Sequence, residues 1–401
     1  MRRTALATAL LSAVALAGCS APTDPGPGTS PDGAAPTAAT TTTPAGPAGE
    51  ATTDAVPTGF QPREVANLSN PWAMAFLPGT NQLLITQKSG ELLLRDQESG
   101  ATVTVEGAPE VVDSGQGGFG DVVPGPRFEQ DQTIYLSWVE RGDGGTGAVI
   151  ARAQLDSAGS AAHLVDLTPI WRQDKTTGNG HFAHRMAFSP DGRHLFVTSG
   201  DRQKFDPAQD LSTNLGKILR LNPDGTPAEG NPFADRGGVS AEIWSYGHRN
   251  PLGIAFDPDG NLWISEMGPQ GGDEINLVLE GRNYGWPEAS NGSHYGGAEI
   301  PDHAPGDGFE PPKVGWTPSV SPGSLMIYDG DVFPQWRGDA FAGALSGQAL
   351  LRVDLDGTDA EKGDEWDMGE RIRDVAQGPD GSIWVLEDGR SGRLLELVPE
   401  V

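Results

Sequence analysis

The chain has 401 residues, with 55 acids against 27 lysines and arginines, 56 glycines, 33 prolines and one cysteine, for a formal charge of −28. That balance argues against a nucleic-acid binder, which needs clustered Lys and Arg, and against adhesion to an anionic lipid surface. One cysteine permits neither an intramolecular disulfide nor a cysteine-based zinc site, and so much Gly and Pro disfavours a helical bundle, leaving turn-rich β structure.

Arg2 and Arg3 open the chain, followed by an apolar run from Ala5 to Ala17 and the phrase LAGCS, which holds Cys19. A basic start, a short apolar stretch and small residues describe a secretory signal. The run is too short to cross a bilayer, which takes about 20 apolar residues. LAGC resembles the lipobox of bacterial lipoproteins. That resemblance implies cleavage after residue 18, lipidation of Cys19 and a protein exported and lipid-anchored at the outer face of the bacterial cell membrane. From Ser20 to Gly59 the chain is Ala, Pro, Thr, Gly and Ser without apolar periodicity. Such a segment cannot repay the entropy of ordering and reads as a disordered, flexible linker. The expected division is a signal peptide at 1–18, lipidated Cys19 with its linker at 19–59, and a folded domain at 60–401. Only two bases and four acids fall in the first 59 residues, so the acid excess belongs to the domain.

Within that domain one phrase recurs: PWAMAFLPGTNQLLITQ from Pro71, RMAFSPDGRHLFVTSGDR from Arg185, LGIAFDPDGNLWISEMG from Leu252 and IRDVAQGPDGSIWVLEDG from Ile372. Each copy holds a short apolar strand, a Pro-Asp-Gly-type turn and a second strand rich in Leu, Ile, Val and Trp. Pro presets φ and Gly accepts a positive φ, so the turn chemistry is sound. Weaker copies lie at GGFGDVVPGPRFEQDQTIYLSWV and around SLMIYDGDVFPQWRGDAFAGALSG. Repeats of this kind predict an all-β, six-bladed β-propeller of four-stranded antiparallel blades; counting alone leaves seven blades open. Propellers bind ligands on loops from several blades, so site residues should lie between the repeated phrases.

Four such segments combine glycine with functional side chains: DSGQGGFGD with Gln116, GNGHFAHR with His181 and His184, SYGHRNPLG with His248, Arg249 and Asn250, and EMGPQGGDEINL with Glu266, Asp273 and Glu274. Glycine lets the backbone approach a ligand. Histidine titrates near neutrality and suits a general base. Arginine suits an anion or developing oxyanion, and carboxylates with carbonyls suit calcium. A zinc pair of His181 and His184 lacks a third ligand cluster.

The phrases GNGHFAHRMAFSPDG, LGKILRLNPDG, EIWSYGHRNPLGIAFDP, GPQGGDEINLVLEGRNYGWP and RIRDVAQGPDG, in this order, resemble the PQQ-dependent sugar dehydrogenases, the soluble quinoprotein glucose or aldose sugar dehydrogenase family. The resemblance spans residues 60–401 and implies a six-bladed propeller binding PQQ and calcium. It implies oxidation of an aldose at its anomeric carbon to the lactone, with electrons passed to a quinone or cytochrome. By position, His181 matches the catalytic base and Asp201 the carboxylate that orients it. Gln116, Arg249 and Asn250 match residues at the quinone edge, Arg249 stabilising charge there. Tyr295, Ser321, Pro322, Gly323, Ala344, Leu345 and Ser346 fall where the family contacts the cofactor, and Arg371 and Arg373 match bases facing its carboxylates. The carbonyls of Gly268 and Pro269 match the ligands of a calcium that grips the cofactor. Glu274 with the backbone of Tyr284 matches a structural calcium site. One departure stands out: some members carry a Lys where this chain has Ser346. A calcium-dependent lactonase and a non-catalytic sugar- or protein-binding propeller are the rival functions, and the resemblance leaves a homodimer open.

Overall fold

The computed structural model describes residues 59–157 and 161–400. The export signal, the lipidation site at Cys19 and all but the last residue of the expected linker lie outside the described residues. What is described is nearly all β.

The Pro-Asp-Gly turns close hairpins as the sequence requires. Asp191 Oδ1 accepts from the backbone N–H of Arg193 at 3.0 Å, and Asp380 Oδ1 from that of Ser382 at 3.1 Å. Gly192 and Gly381 supply the positive φ, at 69° and 85°. An aspartate bonded two residues on is a self-contained turn.

Among the described residues the strands form antiparallel meanders in chain order. The first runs through Pro71–Phe76, Gln82–Gln87, Leu92–Asp96 and Thr102–Glu106. The second uses Phe119–Pro124, Thr133–Gly142, Gly145–Asp156 and Ala162–Arg172, and the third Ala183–Phe188, Leu195–Ser199, Lys217–Leu221 and Ile243–Tyr246. The fourth uses Pro251–Phe256, Leu262–Glu266, Asp273–Leu277 and Val314–Trp316. The fifth uses Met326–Ile327, Ala340–Ala344, Ala349–Asp356 and Asp359–Asp367. The last comprises Ile372–Gln377, Ile383–Glu387 and Gly392–Glu400, and takes its outer strand, Gly59–Leu68, from the other end of the domain. The first two meanders join into one eight-stranded sheet where Val105 and Glu106 pair in parallel with Ala162 and His163.

The first strands touch in succession, and Ile372–Gln377 returns to Pro71–Phe76. Apolar clusters fill the space between neighbouring meanders, because strand side chains alternate between faces. Leu195 and Val197 pack against Tyr135, Ile150 and Trp171 of the second meander, while Phe196 between them packs against Ile254 and Ile264 of the fourth. Both faces are covered, which is why LFVTS, LWISE and IWVLE read as continuous apolar runs rather than alternating ones.

One buried cation ties the ring together. Arg185, on the first strand of the third meander, bonds Asp121 Oδ1 at 3.1 Å, Asp374 Oδ1 at 3.0 Å, the Leu252 carbonyl at 3.0 Å and the Gly323 carbonyl at 2.9 Å. Its guanidinium carbon also lies 4.2 Å from the Trp72 ring centroid. Every meander thus contributes a contact to this one side chain.

The hairpin geometry positions the site. A turn, Pro-Asp-Gly in the third, fourth and sixth meanders, closes one end of each first hairpin. At the other end, the start of the first strand and the end of the second lie side by side. His181, Arg249, Asn250, Ser321 and Arg371 precede first strands. Lys88, Asp201, Met267, Leu345 and Asp388 follow second strands. The expectation that functional residues fall between the repeated phrases has this physical cause.

Candidate active site

His181 sits on a segment that a free chain would avoid. His181, Ala183 and His184 have φ of 50°, 58° and 66°, and facing them Arg202, Gln203 and Phe205 have 56°, 59° and 63°. Non-glycine residues in this region cost about 1–3 kcal/mol each and persist only where the surroundings over-determine them. Here the surroundings are buried donors. Arg202, stacked 3.7 Å from the Phe182 ring centroid, donates to the carbonyls of Thr146, Gly178 and Gly180 at 2.6, 2.7 and 3.0 Å. Gln116 Oε1 accepts from the His181 backbone N–H at 2.6 Å. A Cβ at Gly200 would stand 2.2 Å from the His181 carbonyl oxygen, so the SGD phrase needs its glycine.

The result is a directed pair. His181 Nδ1 lies 2.7 Å from Asp201 Oδ1. Asp201 is fully buried, accepts from Gln203 N at 2.8 Å, and takes Trp286 Nε1 on Oδ2 at 2.8 Å. Burial opposes the Asp201 charge, but the His181, Gln203 and Trp286 donors outweigh it and hold its pKa below the usual carboxylate value. Burial also holds the His181 pKa below the ordinary imidazole value, with Asp201 partly opposing it. Burial thus favours the neutral imidazole of His181. Its Nε2 has no hydrogen-bond partner among the described residues, and the residue lines an open cavity of about 830 Å³.

That cavity is also lined by Arg249, Gly268, Pro269, Ser319 and Ser346. A second cavity, of about 460 Å³, shares Gln116, Met267, Tyr295 and Ser321 with it as common wall. The second cavity takes Trp72, Lys88, Asn250, Leu345, Arg371, Arg373 and Asp388 from the other loops. Arg371 and Arg373 converge on Asp388, at 2.9 and 3.0 Å.

Most residues expected from the sequence converge here, and some do not. Ser321 and Leu345 reach the smaller cavity and Ser346 the larger. Pro322, Gly323 and Ala344 do not line either. Ala344 is fully buried and bridges Pro322, while Gly323 gives its carbonyl to Arg185. They support the wall from behind, because the second-strand residue that packs inward cannot also face the mouth. The Gly268 carbonyl, expected as a bare calcium ligand, accepts from Arg249 Nη1 at 2.7 Å. Tyr295 is largely exposed and accepts from Arg249 Nη2 at 3.2 Å. Glu274 and Tyr284 do come together, lining a small cavity of about 10 Å³ with Glu266. Burial, and Glu266 beside it, push the Glu274 pKa up to about 8. Among the described residues no group of three or more His, Cys, Asp and Glu is arranged to hold a metal, so a cation here would need backbone carbonyls as well.

His184 is excluded from both chemistry and zinc. Its Nδ1 lies 2.8 Å from Ser137 Oγ, its ring stacks on Trp72, and burial with Arg185 nearby pushes its pKa down to about 3.

Some parts that residues play are not evident in the sequence. Asp273 is engaged through both carboxylate oxygens. Its Oδ2 accepts from Ser319 Oγ and from the N–H groups of Val320 and Ser321, all at 2.6 Å, and its Oδ1 accepts from Gly268 N at 2.8 Å. It ties the two loops that wall the larger cavity. Trp286, Asp388 and Lys88 were also unforeseen. The one available signal was position: Lys88 and Asp388 follow second strands as Asp201 does.

The model of the family described as Glucose / Sorbosone dehydrogenase matches residues 68–396. The chain belongs to that family. Its relatives include the aldose sugar dehydrogenase YliI of Escherichia coli, 40% identical over 341 residues that cover 83% of this chain and 91% of that one. Quinoprotein glucose dehydrogenase B of Acinetobacter calcoaceticus is 29% identical over 410 residues, covering 81% and 84%. Among solved structures, the apo-form of the soluble E. coli aldose sugar dehydrogenase superposes with a TM-score of 0.80 at 38% identity, covering 85% of this chain and all of that one. The PQQ-bound aldose sugar dehydrogenase from Streptomyces coelicolor gives 0.70 at 28% identity, covering 86% and all of that chain. Family membership gives the paired cavities their context: a glucose/sorbosone dehydrogenase must seat a sugar beside an electron acceptor.

Proposed function

We infer that this chain is a PQQ-dependent aldose dehydrogenase, oxidising an aldose at its anomeric carbon to the lactone. One observation carries the reading: His181, oriented by Asp201 and with no partner on Nε2 among the described residues, lines a cavity that shares four wall residues with a second, cation-lined one. A binding module has no need of a base with its orienter.

The smaller cavity fits an anionic, carbonyl-rich cofactor. Asn250 Oδ1 in its wall and Arg249 Nε in the wall of the adjoining larger cavity are buried with no hydrogen-bond partner among the described residues, which is costly unless a ligand satisfies them. Arg371, Arg373 and Lys88 supply cations for carboxylates. When bound, PQQ supplies a two-electron acceptor for the hydride that leaves the anomeric carbon. His181 Nε2 takes the proton of the anomeric hydroxyl, and Asp201 stabilises the imidazolium that results. Arg249, in the wall of the larger cavity, would stabilise the negative charge that develops beside it. Trp286, over which Arg249 lies at 5.2 Å, holds Asp201 and Arg249 in one frame.

Calcium belongs to the same proposal. The Gly268 and Pro269 carbonyls border the larger cavity, and Glu266 with Glu274 forms a buried acidic pair that a hard cation would neutralise. The closed succession of meanders supports a six-bladed propeller about the Arg185 contact. The LAGC phrase supports export with a lipid anchor on Cys19, and a quinone or cytochrome is the expected electron acceptor.

The test is reconstitution. Purified apoprotein is given PQQ and calcium, and dye reduction is followed across a panel of aldoses. Turnover that requires PQQ is the expected result. Lactone hydrolysis without PQQ, or no cofactor binding, would overturn the assignment.

A further inference from the structure

We propose that Lys88 is a cofactor-binding residue, supplying a cation to a carboxylate of PQQ from the first meander. The proposal rests on the cofactor reading above and extends it to a residue outside the motifs that suggested it.

Lys88 follows the second strand Gln82–Gln87, at the mouth end of its hairpin. Its backbone is fixed on both sides: the N–H donates to the Asn70 carbonyl at 2.9 Å, and the carbonyl accepts from Phe119 N at 3.1 Å. The side chain is half-buried on the wall of the smaller cavity, and Nζ donates to the Gly115 carbonyl at 2.7 Å. No carboxylate lies within ion-pair distance of it among the described residues. Asp388, the one acid among the residues lining this cavity, is shared by Arg371 and Arg373. Three cations and one anion therefore face the space, in a chain of net charge −28.

An ammonium bonded to a neutral carbonyl, with no carboxylate beside it, has its charge unanswered by the protein. A negative ligand group in the cavity would answer it, and a tricarboxylate offers more charge than two arginines already sharing an aspartate can meet.

Lys88 could instead serve only to pin the Gly115 loop, and the experiment separates the two roles. PQQ binding to the calcium-supplemented apoprotein is measured by calorimetry for wild type, Lys88→Gln and Lys88→Arg, at several salt concentrations. PQQ trimethyl ester, which lacks the three charges, serves as the comparison probe. Lys88→Gln should weaken PQQ binding about ten- to hundredfold, the range of a lost charge-assisted hydrogen bond, and flatten its salt dependence. It should leave ester binding within a factor of two or so of wild type, and Lys88→Arg should restore most of the PQQ affinity. Equal losses for PQQ and its ester would mark a purely structural role and overturn the proposal. So would unchanged PQQ binding by Lys88→Gln, with wild type binding normally. Failure of wild type to bind PQQ at all would overturn the cofactor reading and this inference with it.

Discussion

Two buried histidine–carboxylate pairs stand on consecutive meanders, and only one leaves a ring nitrogen without a partner among the described residues. His181 meets Asp201 at 2.7 Å, and His248 meets Glu266 at 3.0 Å. Both histidines precede a first strand, and both acids come at the end of a second strand or just beyond it. The difference lies in the remaining nitrogen. His248 Nε2 is 2.8 Å from Ser245 Oγ, and its fully buried ring stacks on Tyr284 at 4.5 Å. His181 leaves Nε2 unpartnered beside an 830 Å³ cavity. Glu266 turns its other oxygen to the Arg249 backbone N–H, so the His248 pair clamps the residue that carries the guanidinium. A histidine paired with an acid is thus a strut when both nitrogens are engaged, and a base when one is left for substrate.

The largest effect should come from removing the free nitrogen. His181→Ala should lower turnover by roughly 10²–10⁴, the usual contribution of a positioned general base, while PQQ still binds with near wild-type affinity. Steady-state dye reduction beside a direct binding measurement tests this; surviving turnover would remove His181 from its role. Asp201→Asn should lower turnover as well, by up to about 10⁴-fold, as for a carboxylate that orients a general-base histidine. It should also move the pH profile in a definite direction. Only neutral His181 accepts a proton, so activity rises with pH through its pKa. Asp201 is the neighbour that raises that pKa against burial. Its removal should shift the acid limb of kcat/KM to lower pH while the plateau falls. A shift to higher pH would contradict the electrostatic account.

Chain distance decided what the sequence could reveal. The hairpins were legible because each is local: Asp191 and Asp380 bond two residues on, and the apolar runs of LFVTS and IWVLE name their own strands. His181, Asp201, Arg249 and Asn250 were legible because their phrases match a known family in order. What remained hidden depends on partners brought together by the ring. Trp286 reaches Asp201 across 85 residues, and Arg185 reaches Gly323 across 138. Asp273 stood out in the sequence only as a carboxylate beside glycines, chemistry that suits calcium in general. Nothing local says that the N–H groups of Val320 and Ser321, 47 and 48 residues away, take its oxygen. Strand alternation placed Arg371 and Arg373 on one face, yet it could not supply Asp388 between them. The same limit applied to Pro322, Gly323 and Ala344, whose phrases were right and whose facing was not.

The smallest expected effect is the most searching for the comparison. His248→Gln keeps a donor and an acceptor but cannot span from Ser245 to Glu266 as the ring does. It also gives up the stack on Tyr284. Leaving one buried polar partner unsatisfied should destabilise the fold by about 1–3 kcal/mol, read as a lower denaturant midpoint with an unchanged slope. Turnover at saturating cofactor should fall by less than about tenfold, because Glu266 still accepts from the Arg249 N–H and His181 keeps its free nitrogen. Were His248→Gln to abolish turnover in a protein of normal stability, the engaged nitrogens would not have marked a strut. The distinction between the two pairs would then rest on something other than hydrogen-bond occupancy.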